Sequence, residues 1–404
     1  MKTSDLAKEA AGYLSVVQEV RRDLHQIPEF GLNLPKTRER VLASIHGLGE
    51  IHLSERQSSI ALVIKGGQPG PTVLLRADMD ALAVTEDTGL EYASTNGYMH
   101  ACGHDLHMAI GVGAAHLIAT HKDELKGDVI IWFQPGEEGH GGADIMLEEN
   151  LHMLTGSKPI AAYGIHVTSS WQAPFTFGGK SGALMASASD MLVTFKGRGG
   201  HGSSPWMAKD PISAMNEAIS ALQTMVTKRF NAFDPVVVNV GWIQAGDPHT
   251  TNVIPETASF GATIRTFSPG NLAKVQQYAG ELLDGIAKAF DLEVTYDIGA
   301  HPTEVVMNDP AATDRVRRVV AETFGADRWV EWPHPIAGAE DFGSVVREIP
   351  GAFIFLGASP YGDEYMTAAP NHSNKAVFDD SVIPDGCALL AGLAFEALEE
   401  ASQN

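Results

Sequence analysis

The sequence predicts an α/β fold in which a mostly parallel sheet is covered by helices, with an inserted domain of ferredoxin-like βαββαβ plan. Three observations predict it. Short runs apolar on both faces recur at IALVIKG (60–66), TVLLRAD (72–78), DVIIWFQP (128–135), AYGIHV (162–167) and AFIFLGA (352–358), the pattern of strands buried under two layers and usually parallel. Helical stretches such as GHDLHMAIGVGAAHLIATH (103–121) alternate with them, as in a covered sheet. From 184 to about 300 the rhythm changes to strand, helix, two strands, helix, strand, the split βαβ order.

Taken in chain order, residues 1–28 scatter charges among Leu6, Leu14, Val17 and Leu24 at helical spacing. This predicts an amphipathic helix rather than a signal peptide or membrane span. The first four apolar runs follow, and the fifth lies far away at 352–358, so the catalytic domain is expected to be discontinuous: 1–184 and 301–404, with 185–300 inserted. A chain of 404 residues exceeds one ordinary core, and 44% hydrophobic content fills two. Lys plus Arg number 28 against 50 Asp plus Glu, a net charge of -22, which repels phosphate backbones and excludes nucleic acid as a partner. Two cysteines, Cys102 and Cys387, build no disulfide framework, so a cytoplasmic location is expected. Cys387, inside an apolar helix at 385–398, reads as a core residue.

Ligands of open α/β sheets gather beyond the carboxyl ends of the strands. There TVLLR delivers Asp78 and Asp80, VIIWFQPG delivers Glu137 and Glu138, and AYGI delivers His166, while Cys102 and His104 enter from MHACGHDLH. Sulfur, imidazole and carboxylate on one edge suit a borderline-soft divalent ion. Each piece has a plainer reading by itself: a buried cysteine beside a helix-start histidine, a solvated acidic turn, a core histidine. Of the two adjacent glutamates, one could bind metal while the other moves protons. Cys102 near a histidine also fits a thiol nucleophile.

The strings RADMDALAVTED, MHACGHDLH, FQPGEEGHGGADIM, GIHV, GGHGSSP, TNVIPETASFGATIR, GAEDFG and NHS, in this order, resemble the M20 metallopeptidase family. The likeness is to its amidohydrolase branch of hippurate hydrolases, N-acyl-amino-acid aminoacylases and auxin-conjugate hydrolases, and runs from about residue 20 to 400. It implies an aminopeptidase-like domain with two divalent ions held by Cys102, His104, Glu138, His166 and His372. Zn suits the cysteine best, and Mn, Co or Ni fit a mixed donor set. It further implies Glu137 as general base toward a metal-activated water, with Asp78 or Asp80 orienting a ligand. His100 and His107 are not ligands on this resemblance. His201 would donate to the oxyanion, often in a neighbouring subunit, and Asn252 and Arg265 would hold a substrate carboxylate. Two departures, Ala83 for the usual proline and Ala339 for the usual serine, touch no ligand.

The implied function is hydrolysis of an N-acyl-amino acid to a carboxylic acid and a free amino acid, in a homodimer or higher homo-oligomer joined through the inserted domain. The partner is thus a small molecule, with no membrane involved. A dipeptidase or carboxypeptidase would share the same motifs. A non-catalytic acyl-amino-acid binder would lack a ligand or the base, and all are present. Trp206, Met207, Trp242, Phe342 and Leu356 could line an acyl pocket or simply pack.

Overall fold

A computed structural model describes residues 3–403, the side chain of residue 301 excepted, so both chain ends of the expected catalytic domain and the first two residues of its N-terminal helix lie outside the described residues. The chain forms two compact units. The first runs to Leu184 and resumes over Val306–His334 and from Asp341 onward; the second is Met185–Val305 with Pro335–Glu340.

The first unit is built on an eight-stranded mixed sheet. Its order is Glu50–Leu53, Ile60–Ile64, Lys126–Gln134, Gln68–Asp78, Ala161–Thr168, Gly351–Gly357, Phe177–Gly179, Trp329–Glu331. Gln68–Asp78 pairs in parallel with Lys126–Gln134 and with Ala161–Thr168, which pairs in parallel with Gly351–Gly357. The run at 60–66 departs from the parallel expectation: Ile60–Ile64 lies antiparallel to Lys126–Gln134 and to Glu50–Leu53. Apolarity on both faces reports that a strand is covered, not which way it points.

Helices His104–Thr120 and Ile383–Ser402 fill the core beside this sheet, contributing Leu106, Ile110, Leu117, Leu389, Leu390 and Leu393. The span Asp380–Ser402 is long and apolar enough to cross a membrane, yet its apolar window is 83% buried within the fold. Its hydrophobicity is therefore accounted for by core packing. The expected single N-terminal helix is two, Thr3–Gly12 and Leu14–Gln26, with Tyr13 at the break. Gly12 at that point favours interruption because glycine loses most freedom inside a helix.

The second unit carries a four-stranded antiparallel sheet in the order Val236–Ala245, Thr257–Thr266, Ser187–Lys196, Glu293–Thr303. Helices Pro211–Arg229 and Asn271–Ala289 join it in one core through Leu222, Met225, Val275 and Leu283, against Val193, Phe195, Phe260 and Ile264. Strand Ser187–Lys196 alternates between buried and more exposed positions along its length, as a half-covered sheet requires. Asp210 accepts from the Ile212 N–H ahead of Pro211, a side-chain cap with proline at the first helical position. Beyond 300 this unit runs on to Val305 and takes in Pro335–Glu340, where the Ala186 N–H donates to the carbonyls of Ile336 and Gly338. One such bridge has no periodicity for a sequence to display.

Candidate metal centre

The cluster is assembled wholly within the first unit. Asp78 ends its strand, and Asp80 follows it; Gln134 ends the neighbouring strand, three and four residues before Glu137 and Glu138. His166 lies near the end of Ala161–Thr168, and His104 opens its helix after Gly103. Gly103 has φ +85°, and a Cβ there would stand 2.4 Å from Val167 Cγ2. Only glycine permits both that backbone and that approach.

Three groupings of donor atoms, each within 4.8 Å of one another, bring the expected residues together: Cys102, His104 and His166; Cys102, Glu138 and His372; His104, Glu137 and Glu138; a fourth, Asp78, His104 and His107, includes a histidine not expected as a ligand. Cys102 Sγ lies 3.4 Å from His166 Nε2 and 3.2 Å from His372 Nε2, which is 3.3 Å from Glu138 Oε1. Glu137 Oε2 stands 4.0 Å from His104 Nε2.

The ring tautomers follow from the hydrogen bonds. His104 Nδ1 donates to the Asp80 carbonyl at 2.8 Å and His166 Nδ1 to the Val167 carbonyl at 2.8 Å, so each ring turns a lone pair on Nε2 toward the cluster. His104 Nε2 and Glu138 Oε1 are buried with no hydrogen bond, Glu138 Oε1 having only its ion pair with His372. Orphaned acceptors in a dry site are costly unless a cation completes them, and with sulfur, imidazole and carboxylate gathered around them the residues fit a divalent metal site. The electrostatics agree. Cys102 and Glu138 raise the His372 pKa to about 10 against the opposing effect of burial. Burial works against the charge on His104, yet Asp78, Asp80 and Cys102 raise its pKa well above the ordinary value. Surroundings that hold a proton on these rings attract a cation in its place. Burial, then His107 and His104, lower His166, keeping it a neutral donor.

The two aspartates do separate jobs. Asp80 accepts from the Glu137 and Glu138 N–H groups at 3.0 and 3.1 Å, fixing the acidic turn, while its carbonyl orients His104. Asp78 takes a 2.5 Å bond from Arg76 Nη1 and another from His107 Nδ1; His107 Nε2 then accepts from the Val167 N–H at 2.8 Å. Both nitrogens of His107 are thereby committed to the protein. His100 is buried with neither ring nitrogen partnered, and burial pushes its pKa down to about 3.

One residue of the cluster has no assigned role in the motifs. Asn371 Nδ2 donates to the Cys102 carbonyl at 3.2 Å and the Val167 carbonyl at 3.0 Å, and Oδ1 accepts from Ser169 N–H at 2.9 Å. A single amide therefore ties together the segments bearing Cys102, His166 and His372. Its neighbour His372 takes φ +70°, an uncommon conformation for a non-glycine residue, with its N–H bonded to the Ala101 carbonyl. The NHS string contained Asn371, but partners that are backbone carbonyls leave no trace in a sequence.

His201 and Asn252 come together in the second unit, where Gly200–His201 pairs with Val253–Ile254 and the Gly202 N–H donates to the Asn252 carbonyl at 2.7 Å. The Ser203 N–H donates to His201 Nδ1 at 3.1 Å, so Nδ1 is the accepting nitrogen of this exposed ring and Nε2 is left to donate. Arg265 lies on another strand, Thr257–Thr266, half-buried and bonded to its neighbour's carbonyl. Of the acyl-pocket candidates, Phe342 and Leu356 are fully buried, whereas Trp206, Met207 and Trp242 are exposed on the second unit.

A covered α/β sheet with S, N and O donors converging at its carboxyl edge defines a metal-dependent hydrolase class. The profile of peptidase family M20/M25/M40 matches residues 74–396. N-acetyldiaminopimelate deacetylase of Bacillus cytotoxicus is 36% identical over 89% of this chain and 94% of its own length, and that of Listeria welshimeri 36% over 84% and 89%. Among solved structures, a protein from methicillin-resistant Staphylococcus aureus described as an aminohydrolase has a TM-score of 0.88 at 29% identity, covering 98% of this chain and 100% of its own. A Bacillus subtilis dinuclear metal-binding peptidase of the M20 family has a TM-score of 0.81 at 28% identity, covering 96% and 99%. The chain belongs to peptidase family M20/M25/M40, as a metal-dependent amidohydrolase.

Proposed function

We propose that this amidohydrolase cleaves the amide of an N-acyl-amino acid to a carboxylic acid and a free amino acid. Cys102, His104, Glu138, His166 and His372 would hold two divalent ions, Zn by preference of the cysteine, which when bound polarise the scissile carbonyl and make water acidic. Glu137 takes the proton from the attacking water and hands it to the leaving amine nitrogen. His201 donates from Nε2 to the carbonyl oxygen as negative charge develops there. Asn252 and Arg265 hold the α-carboxylate, the guanidinium through paired hydrogen bonds. The partner is a small molecule, the assembly a homodimer or higher homo-oligomer through the second unit, and the location the cytoplasm.

The observation that carries this reading is the division of labour in the acidic turn: both backbone N–H groups are clamped by Asp80, while Glu138 faces His372 and Glu137 faces His104. The deacetylase relatives support an N-acylated substrate. The test is free-amine release from a panel of N-acyl amino acids and the matching dipeptides by metal-loaded protein. Acyl-amino acids should be cleaved, activity should disappear with a chelator, and a divalent metal should restore it. Cleavage confined to dipeptides would move the assignment to a dipeptidase, and indifference to chelator would restore Cys102 as a candidate nucleophile.

A further inference from the structure

An aromatic shelf adjoins the cluster, and no motif pointed to it. His166 stacks on Phe355 with ring centroids 5.2 Å apart; Phe355 meets Trp332 at 4.7 Å and Trp171 at 5.7 Å, and the two indoles meet at 5.2 Å. Phe355 and Trp332 are buried, whereas Trp171 keeps 40% of its surface exposed. The backbone of Trp171 has φ +53°, which for a bulky side chain is a genuine outlier that its surroundings must enforce. Phe175, four residues on, also has positive φ at +63°, but Arg328 covers its ring and its N–H bonds the Gly357 carbonyl. Trp171 rests its ring on Trp332 and Phe355 and leaves the rest of it in water.

The loop is fixed around Trp171. The Ser169 N–H is held by Asn371, beside His372, and Gln172 Nε2 donates to the carbonyls of Thr176 and Phe355 at 2.7 and 3.2 Å. Gly178 makes room behind it, since a Cβ there would lie 2.6 Å from both Trp332 Nε1 and Gln172 Oε1. A large ring kept partly in water, in a strained conformation, two ring contacts from a proposed ligand, is arranged to meet something that arrives.

We propose that Trp171, backed by Trp332 and Phe355, is the subsite for the group attached to the scissile carbonyl, and that it selects planar apolar acyl groups over acetyl. This rests on the N-acyl-amino-acid reading above. The shelf belongs to the unit that carries the proposed metal ligands, so the substrate portion it meets is the acyl part, the carboxylate end being assigned to Asn252 and Arg265.

The test compares kcat/KM for N-benzoyl and N-acetyl derivatives of one amino acid in the metal-loaded wild type, Trp171→Gly and Trp171→Phe. Glycine suits the positive φ, so the first variant removes the indole without straining the fold. The benzoyl-to-acetyl ratio should exceed one in the wild type, fall about tenfold in Trp171→Gly through KM rather than kcat, and recover largely in Trp171→Phe. The affinity of the Glu137→Gln protein for the benzoyl substrate, read by calorimetry, should fall by a similar factor when Trp171→Gly is added. Cleavage of both substrates with an unmoved ratio overturns the subsite alone. Failure to bind or cleave either substrate overturns the functional reading and the subsite with it.

Discussion

At the residue scale, Glu137 and Asn371 make separable predictions because one is proposed to move a proton and the other only to hold loops. Replacing Glu137 by Gln keeps the turn clamped by Asp80 through its backbone but removes the base. Turnover should fall by about 10² to 10⁴ while metal content measured by atomic absorption stays at the wild-type stoichiometry. Retained activity would remove Glu137 from the mechanism. Asn371→Leu has the opposite signature: it strips the donors from the Cys102 and Val167 carbonyls, so metal affinity in a chelator competition should drop about 10- to 100-fold. Loss of turnover with unchanged metal affinity would show that the amide does not position the ligands. Asp78, Asp80, Glu137, Glu138, His104 and His166 could be singled out because each brings a distinctive donor near a strand end or helix start, whereas His372, in a turn, came only with the motif resemblance. Asn371 and Trp171 could not be singled out, since the first works on backbone carbonyls and the second by a backbone angle.

At the element scale, the helix opened by His104 is anchored by charge in a dry interior. Asp105 bonds Arg21 at 2.7 Å and His25 at 2.8 Å, and Asp380 bonds Arg21 at 3.0 Å, clasping Leu14–Gln26 against His104–Thr120 and the start of the C-terminal helix. His25 Nε2 reaches Glu86 at 3.1 Å. Burial works against ionised Glu86, but hydrogen bonds from His25, Thr88 and the Ser94 N–H outweigh it and hold its pKa at about 2, against an ordinary 4.5. A depressed carboxyl contributes stability above its unfolded pKa and loses it as pH falls through the folded one. Burial also works against charged His25, yet Asp105 and Glu86 raise its pKa above 6.5, so its contribution is full below that pH and fades as pH rises through the folded value. Glu86→Gln should therefore cost up to about 3 kcal/mol near pH 6, with the gap closing between pH 4.5 and 2. Urea unfolding of the metal-free wild type and variant across this range measures it; a gap that stays constant with pH would detach Glu86 from the acid response. The helix at 103–121 and the five apolar strands were legible in the sequence, but the break at Tyr13 between the two N-terminal helices was not. Glu50–Leu53, Phe177–Gly179 and Trp329–Glu331 were not, because three or four residues are too few to establish a period.

At the scale of the whole molecule, the proposed chemistry divides between units: the ligands and Glu137 belong to the first, and His201, Asn252 and Arg265 to the second. If the second unit mediates a two-fold dimer and His201 serves the neighbouring subunit, each active site draws Glu137 from one chain and His201 from the other. Two inactive proteins should then rescue each other. In a heterodimer of His201→Ala with Glu137→Gln, one of the two sites receives both wild-type residues and the other receives neither. Random exchange of equal amounts makes half of the dimers mixed, so about one quarter of wild-type activity should return. Service within one chain leaves every site defective at every mixing ratio, and no activity returns. Light scattering on the same samples supplies the independent check, because a monomer that nonetheless hydrolyses its substrate would exclude catalysis across a subunit boundary.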